Sequence, residues 1–134
     1  MNAEFNPELI ENKLAEKVIG ICIEVHKQLG PGLYESVYEE AIAYELEREE
    51  IPYERQQEIP VFYKGTKLGL GFRADFIVDE FLLLEIKSVE TLAPVHAKQL
   101  QTYLRLTKIR LGLLVNFNEP LLKDGIKRIA NNLY

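Results

Sequence analysis

The sequence predicts an α/β fold, and three patterns carry that expectation. Leu14, Val18, Ile21, Cys22, Val25 and Leu29 recur at spacings of three and four, the apolar stripe of an amphipathic helix that stops at Gly30-Pro31-Gly32. Between residues 54 and 88, β-rich runs alternate with short turn sequences. An apolar run, a helical segment and a second apolar run then follow, and strand, helix, strand implies a right-handed crossover and a parallel pairing. The expected architecture is two N-terminal helices, a three-stranded antiparallel meander, a crossover helix and a further strand. That is a central mixed β-sheet flanked by helices, in a single domain over 1–134 with residues 1–8 as an N-terminal tail.

Asn6-Pro7-Glu8 is a good helix start: asparagine caps, proline fits the first helical position and glutamate complements the helix dipole. His26, near the end of that helix, has no second metal-type ligand at a matched spacing and reads as a surface or helix-end residue. A second helix is expected from Leu33 to Glu35 onward, ending about Glu50, before Ile51-Pro52. At 100° per residue Glu35 lies within about 20° of Ile42 and Leu46, which places it near the buried stripe. An acidic residue in a first turn also simply answers the helix dipole, so two roles stay open for it. Glu39, Glu40, Glu45, Glu47, Glu49 and Glu50 are assigned to solvent, and Tyr38 to the core beside Glu35.

Residues 54–63 and 67–78 read as strands joined at Tyr63-Lys64-Gly65-Thr66, with Ile59-Pro60 pointing to an edge position. Gly69 and Gly71 suggest a bulge. A third strand, about Phe81 to Ser88, follows a polar break at Asp79-Glu80. With the turn centred on Glu80, Asp75 faces Glu85 and Arg73 faces Lys87. Glu85 and Lys87 point one way, Leu84 and Ile86 the other. A third helix is expected from Pro94 to about Leu106, with His96, Gln99 and Tyr103 on one face and Ala97, Leu100 and Leu104 on the next. Arg110 to Phe117 reads as a buried strand. The tail fits either a helical stripe or an edge strand from Ile126 to Ala130, with Lys123, Lys127 and Arg128 at the surface or against phosphates.

Two carboxylates a few ångströms apart repel, and a divalent cation is their natural occupant. Mg²⁺ takes hard oxygen ligands and keeps several waters, so Asp75 and Glu85 plus a substrate phosphate make a workable set. Such an ion polarises a phosphoryl oxygen and activates water, and Lys87 is placed to orient that water or stabilise the charge that develops. A salt-bridged ladder of Glu85 and Lys87, with Asp75 as cross-strand partner, accounts for the same spacing without chemistry.

Asp75 followed by Glu85-Ile86-Lys87 resembles the signature of the PD-(D/E)XK nuclease superfamily, with Ala74 where the name has proline. Gly32-Leu33-Tyr34-Glu35-Ser36-Val37-Tyr38 matches the motif of the GxxExxY family within it, and Gln99 with Tyr103 resembles the QxxxY motif of RecB-like members. The resemblance runs from about Leu14 to the C-terminus. It implies a restriction-endonuclease-like core, metal ligation by Asp75 and Glu85 with Glu35 joining the metal shell, and catalytic assistance from Lys87. Arg73, Gln99, Tyr103 and Tyr38 become substrate-binding or supporting residues. The implied activity is Mg²⁺-dependent hydrolysis of phosphodiester bonds in nucleic acid, with Mn²⁺ as a substitute and DNA ahead of RNA.

Composition sets the outer bounds. One cysteine, Cys22, excludes an intrachain disulfide and a cysteine-rich zinc site. No stretch approaches the length of a membrane span and the N-terminus lacks the parts of a signal peptide, so a cytoplasmic location is expected. Net charge is −5, but residues 1–60 hold 14 acids and 5 bases whereas residues 61–134 hold 7 acids and 11 bases. The half that carries Asp75 and Glu85 is therefore the basic half. The acidic balance and the absence of an obvious DNA-binding appendage favour an alternative, a non-catalytic interaction or assembly module of the same fold, and hydrolysis of a small nucleotide is a third reading. A domain this small often needs a partner to grip a duplex, which keeps a homodimer in view.

Overall fold

The computed structural model describes residues 5–133. Helices α1 (Ile10–Leu29) and α2 (Glu35–Arg48) precede strands β1 (Tyr53–Tyr63), β2 (Thr66–Val78) and β3 (Leu82–Lys87). Helix α3 (Pro94–Thr107) leads to β4 (Leu111–Asn116), a 3₁₀ turn (Leu122–Gly125) and β5 (Ile126–Ala130). The five strands lie in sequence order in one sheet, antiparallel except for β3 against β4, which run parallel. The mixed sheet after a crossover helix is the one the sequence predicts.

The alternation of side chains along β3 builds a core on each face. Leu82, Leu84 and Ile86 pack with Phe76, Val78 and the stripes of α1 and α2, while Leu83 packs with Leu100 and Leu104 of α3, Ile59 and Leu114. A strand covered on both faces has no solvent side, which is why its apolar run is unbroken. Cys22 is fully buried in the α1 stripe, and burial pushes its thiol up to about 12, so it is an unreactive core residue.

Turn chemistry fixes the register. Asp79 and Glu80 both take left-handed φ values, 47° and 63°, and the Phe81 N–H donates to the Val78 carbonyl at 3.0 Å. This two-residue turn matches the twist of the strands it joins. Val78 consequently pairs with Leu82 and Phe76 with Leu84, the register expected from a turn centred on Glu80. Lys64 and Gly65 make the other hairpin turn with φ of 50° and 79°. β1 lies at the sheet edge, as Ile59-Pro60 suggested, and its register with β2 shifts between Pro60 and Phe62. A Cβ on Gly71 would sit 2.5 Å from the Ile59 carbonyl oxygen, so the irregular pairing there requires glycine.

Two expectations need correction, and the two readings left open for the tail are decided. The first helix begins at Ile10, after Leu9, rather than at Pro7. Asn6 instead closes a turn upstream: its Oδ1 accepts the Glu8 N–H at 2.9 Å, and its carbonyl accepts the Asn12 side-chain amide at 2.7 Å. Of the expected tail 1–8, residues 1–4 lie outside those described. His26 is buried rather than superficial, with Nε2 2.8 Å from the Glu119 carbonyl. The tail resolves into an edge strand. There Arg128 is held by Asn12 Oδ1 at 2.7 Å, beside a buried Glu11 paired with Arg110 at 2.8 Å, so Arg128 ties β5 to α1.

Candidate functional site

The β2–β3 ladder ends at Phe76 and Leu84, and the next residues open it. Asp75 Oδ2 accepts the Ile86 N–H at 2.8 Å, and Glu85 Oε1 accepts the Asp75 N–H at 3.0 Å. Each carboxylate thus takes a backbone donor from the strand opposite. The two strands splay, and the acids converge at the mouth of the gap. Asp75 is half-buried and Glu85 only 8% exposed.

Burial first, and the neighbouring Asp75 charge second, push the Glu85 carboxyl up to about 8. Burial also raises Asp75, although the Ile86 N–H and the Gln56 amide pull it back toward ionisation. Lys87 lies two residues beyond Glu85 on the same face, half-buried. Its backbone is pinned: the Lys87 carbonyl accepts the Phe117 N–H at 2.8 Å, and the fully buried Asn116, its neighbour on β4, bonds both the N–H and the carbonyl of Val89. Asn116 carries no sequence signal beyond being a polar residue at the end of an apolar strand.

The spacing of Gly32, Glu35 and Tyr38 acquires a physical meaning here. Tyr38 is fully buried, stacks on Phe117 at 4.4 Å between centroids, donates its hydroxyl to the Gly30 carbonyl at 2.7 Å and accepts the Leu33 N–H at 3.1 Å. The tyrosine therefore locks the loop that delivers Glu35 to the head of α2. Ser88, just past Lys87, donates its hydroxyl to the Leu33 carbonyl at 2.6 Å and joins that loop to the end of β3. Tyr38→Phe leaves both loop groups without this partner. It is expected to lower stability by about 1–2 kcal/mol in urea unfolding, with little change in the rest of the core.

The remaining candidates divide. Glu35 is exposed rather than near the buried stripe, because it is the first helical residue and burial on α2 begins with Tyr38; its charge still raises Glu85. Glu39, assigned to solvent, is half-buried and receives the Gln56 amide at 2.8 Å, and Gln56 also donates to Asp75 Oδ1 at 3.2 Å. Neither Glu39 nor Gln56 was singled out by the sequence. Tyr103 stacks on Phe72 at 3.8 Å and feels the charges of Glu85 and Asp75, whereas Gln99 is exposed on the same helix. Arg73 is exposed and donates to the Gln56 carbonyl at 3.0 Å rather than facing Lys87. His96 turns inward to its own helix start, Nδ1 accepting the Ala93 N–H at 3.1 Å.

An open groove of about 850 Å³, lined by residues such as Tyr53, Ile59, Phe62 and Leu106, is not lined by Asp75, Glu85 or Lys87. The acids sit instead where β2 and β3 part, beyond the last ladder pair of Phe76 and Leu84. Among the described residues, no three Asp, Glu, His or Cys side chains converge into a ready-made metal cluster. Two carboxylate donors of the kind Mg²⁺ prefers do converge, and a cation between them would offset the burial and relieve the Asp75 repulsion that together raise Glu85. The donor set therefore fits a hard divalent ion that keeps water and substrate in its remaining positions.

A mixed five-stranded sheet with helices on both faces and paired acids at its open end defines the class: an α/β protein with the restriction-endonuclease-like fold. The chain belongs to the PD-(D/E)XK nuclease superfamily, whose family model matches residues 12–129 and so takes in Asp75, Glu85 and Lys87. Neither the curated proteins nor the solved structures gave a match. Among the described residues, no helix is long and apolar enough to cross a membrane.

Proposed function

We propose that this protein is a divalent-metal-dependent nuclease that hydrolyses phosphodiester bonds of nucleic acid, DNA ahead of RNA, and that it is a GxxExxY member with RecB-like features. The observation that carries the reading is the convergence of Asp75 and Glu85 beside Lys87 at the open end of the sheet, with Glu85 held well above its ordinary value. Asp75 and Glu85 hold Mg²⁺, or Mn²⁺ in its place, and Glu35 serves as an outer ligand. The bound ion supplies Lewis-acid polarisation of the scissile phosphate and a lowered pKa for the attacking water. Lys87 orients that water and stabilises negative charge on the phosphate. Arg73, Tyr103 and Gln99 flank the site on β2 and α3 and face the substrate backbone, while Tyr38 keeps the Glu35 loop in place.

A second reading, an assembly module that keeps the fold without catalysis, is favoured by the β1–β2 hairpin, which exposes Leu70 (83%), Phe62 (61%) and Tyr63 (60%). Incubation of single- and double-stranded DNA and RNA with the wild type and Asp75→Asn, in Mg²⁺ and in Mn²⁺, separates the two. The nuclease reading expects cleavage products, from DNA foremost, that vanish in the variant. Wild-type protein that binds metal yet leaves every substrate intact supports the module.

A further inference from the structure

We propose that Gln56 is a positioning residue of the candidate site, holding Asp75 and Glu39 in fixed relation through one side-chain amide that a local reversal of β1 and β2 delivers between them. The inference rests on the metal reading of Asp75 and Glu85, but its observations are separate.

Gln56 lies in the middle of β1 with φ of 50°, a left-handed conformation that a residue with a Cβ adopts at a cost. Its neighbours pair regularly, Arg55 with Phe76 and Gln57 with Ala74, so Gln56 stands opposite Asp75 without an inserted residue. The faces change hands at that point. Phe76 and Val78 pack on the α1 and α2 side, whereas Phe72 and Ala74 pack on the α3 side with Ile59. In an uninterrupted strand, residues two apart share a face, so both strands have turned over between Phe76 and Ala74. The Gln56 carbonyl, turned out of its ladder position, is taken by Arg73.

This reversal brings the amide to the site. Gln56 Nε2 donates to Glu39 Oε1 at 2.8 Å and to Asp75 Oδ1 at 3.2 Å, and both partners are carboxylates, so the –NH₂ group must face them. Glu39 is steadied further by Arg55 at 3.7 Å. Asp75 is thereby fixed on both oxygens, by Gln56 on one and by the Ile86 N–H on the other. A carboxylate set in this way presents a constant orientation to a cation, the service that outer partners of metal ligands provide.

The test uses Mn²⁺ calorimetry and thermal melting of the wild type, Gln56→Ala and Gln56→Gly. Both variants are expected to bind Mn²⁺ about 10–100-fold more weakly. Gln56→Gly, free of the left-handed penalty, is expected to melt about 3–6 °C above Gln56→Ala. Loss of affinity in the more stable variant is what a purely structural role would not produce, and Gln56→Gly keeps the test open if Gln56→Ala folds poorly. Affinity within about twofold of wild type in Gln56→Gly overturns the proposal while leaving the metal reading intact. Wild-type protein that binds no Mn²⁺ overturns both.

Discussion

Glu85→Gln is expected to melt above the wild type in metal-free buffer at pH 8 and to lose divalent-metal binding. The folded carboxyl titrates at about 8 against an ordinary 4.5, because it is buried beside Asp75. Below pH 4.5 both folded and unfolded chains hold the proton, and the stability associated with it is fully present. As pH rises from about 4.5 to about 8 the unfolded chain gives up its proton first, so stability falls across that window and levels off above it. Glutamine stays neutral and escapes the loss, a gain of roughly 2 kcal/mol after discounting the shift for relaxation around the site. Chemical unfolding at pH 5 and pH 8 checks this: the variant should exceed wild type at pH 8 and approach it at pH 5. Mn²⁺ should then stabilise the wild type and leave the variant unchanged. A variant less stable than wild type at pH 8 would mean that Glu85 is ionised and satisfied as it stands, as in a salt-bridged ladder.

Lys87→Ala is expected to reduce nucleic-acid cleavage by about 10²–10³-fold while metal affinity stays within about threefold of wild type. The lysine shares a face with Glu85, yet no Lys87 ion pair occurs among the described residues, and the acids draw their hydrogen bonds from backbone and Gln56. Its removal should therefore spare the donor set and affect the reacting groups. Single-turnover cleavage measured beside calorimetry separates the two quantities. Equal loss of metal binding and of rate would assign Lys87 to holding the acids in place.

Much of this geometry was legible because short-range rules decide it. The polar pair Asp79-Glu80 between two β-rich runs marks a two-residue turn, and a two-residue turn fixes the register up to Phe76 and Leu84, which brings Asp75 and Glu85 next to each other where the ladder opens. The apolar stripe of α1 and the unbroken run of β3 likewise report their own burial. The tail was less legible because Gly125 weakens a helical reading for a reason that lies elsewhere in the chain: a Cβ there would meet the Asn116 carbonyl oxygen at 2.5 Å. Close packing against β4 demands the glycine.

Gln56 and Glu39 were invisible for a different reason. Strand parity assumes that faces never exchange, and the exchange at Gln56 and Asp75 is made by a left-handed glutamine, with no glycine to announce it. Helical angles placed Glu35 near the stripe but said nothing of where burial along α2 begins, so the inner acid of that face is Glu39, one turn on. The role of Tyr38 in locking the loop at Gly30 and Leu33 depends on contacts that no spacing reveals, although the resemblance had marked the residue.

The most direct test of the central claim is calorimetric titration of the metal-free wild type with Mn²⁺ and Mg²⁺, with and without a non-hydrolysable phosphorothioate oligonucleotide, beside Asp75→Asn and Glu85→Gln. Saturable binding that disappears in both variants is the predicted result. Folded wild-type protein that takes up neither ion at millimolar concentration, even with the oligonucleotide present, would contradict the assignment of Asp75 and Glu85 as a metal site.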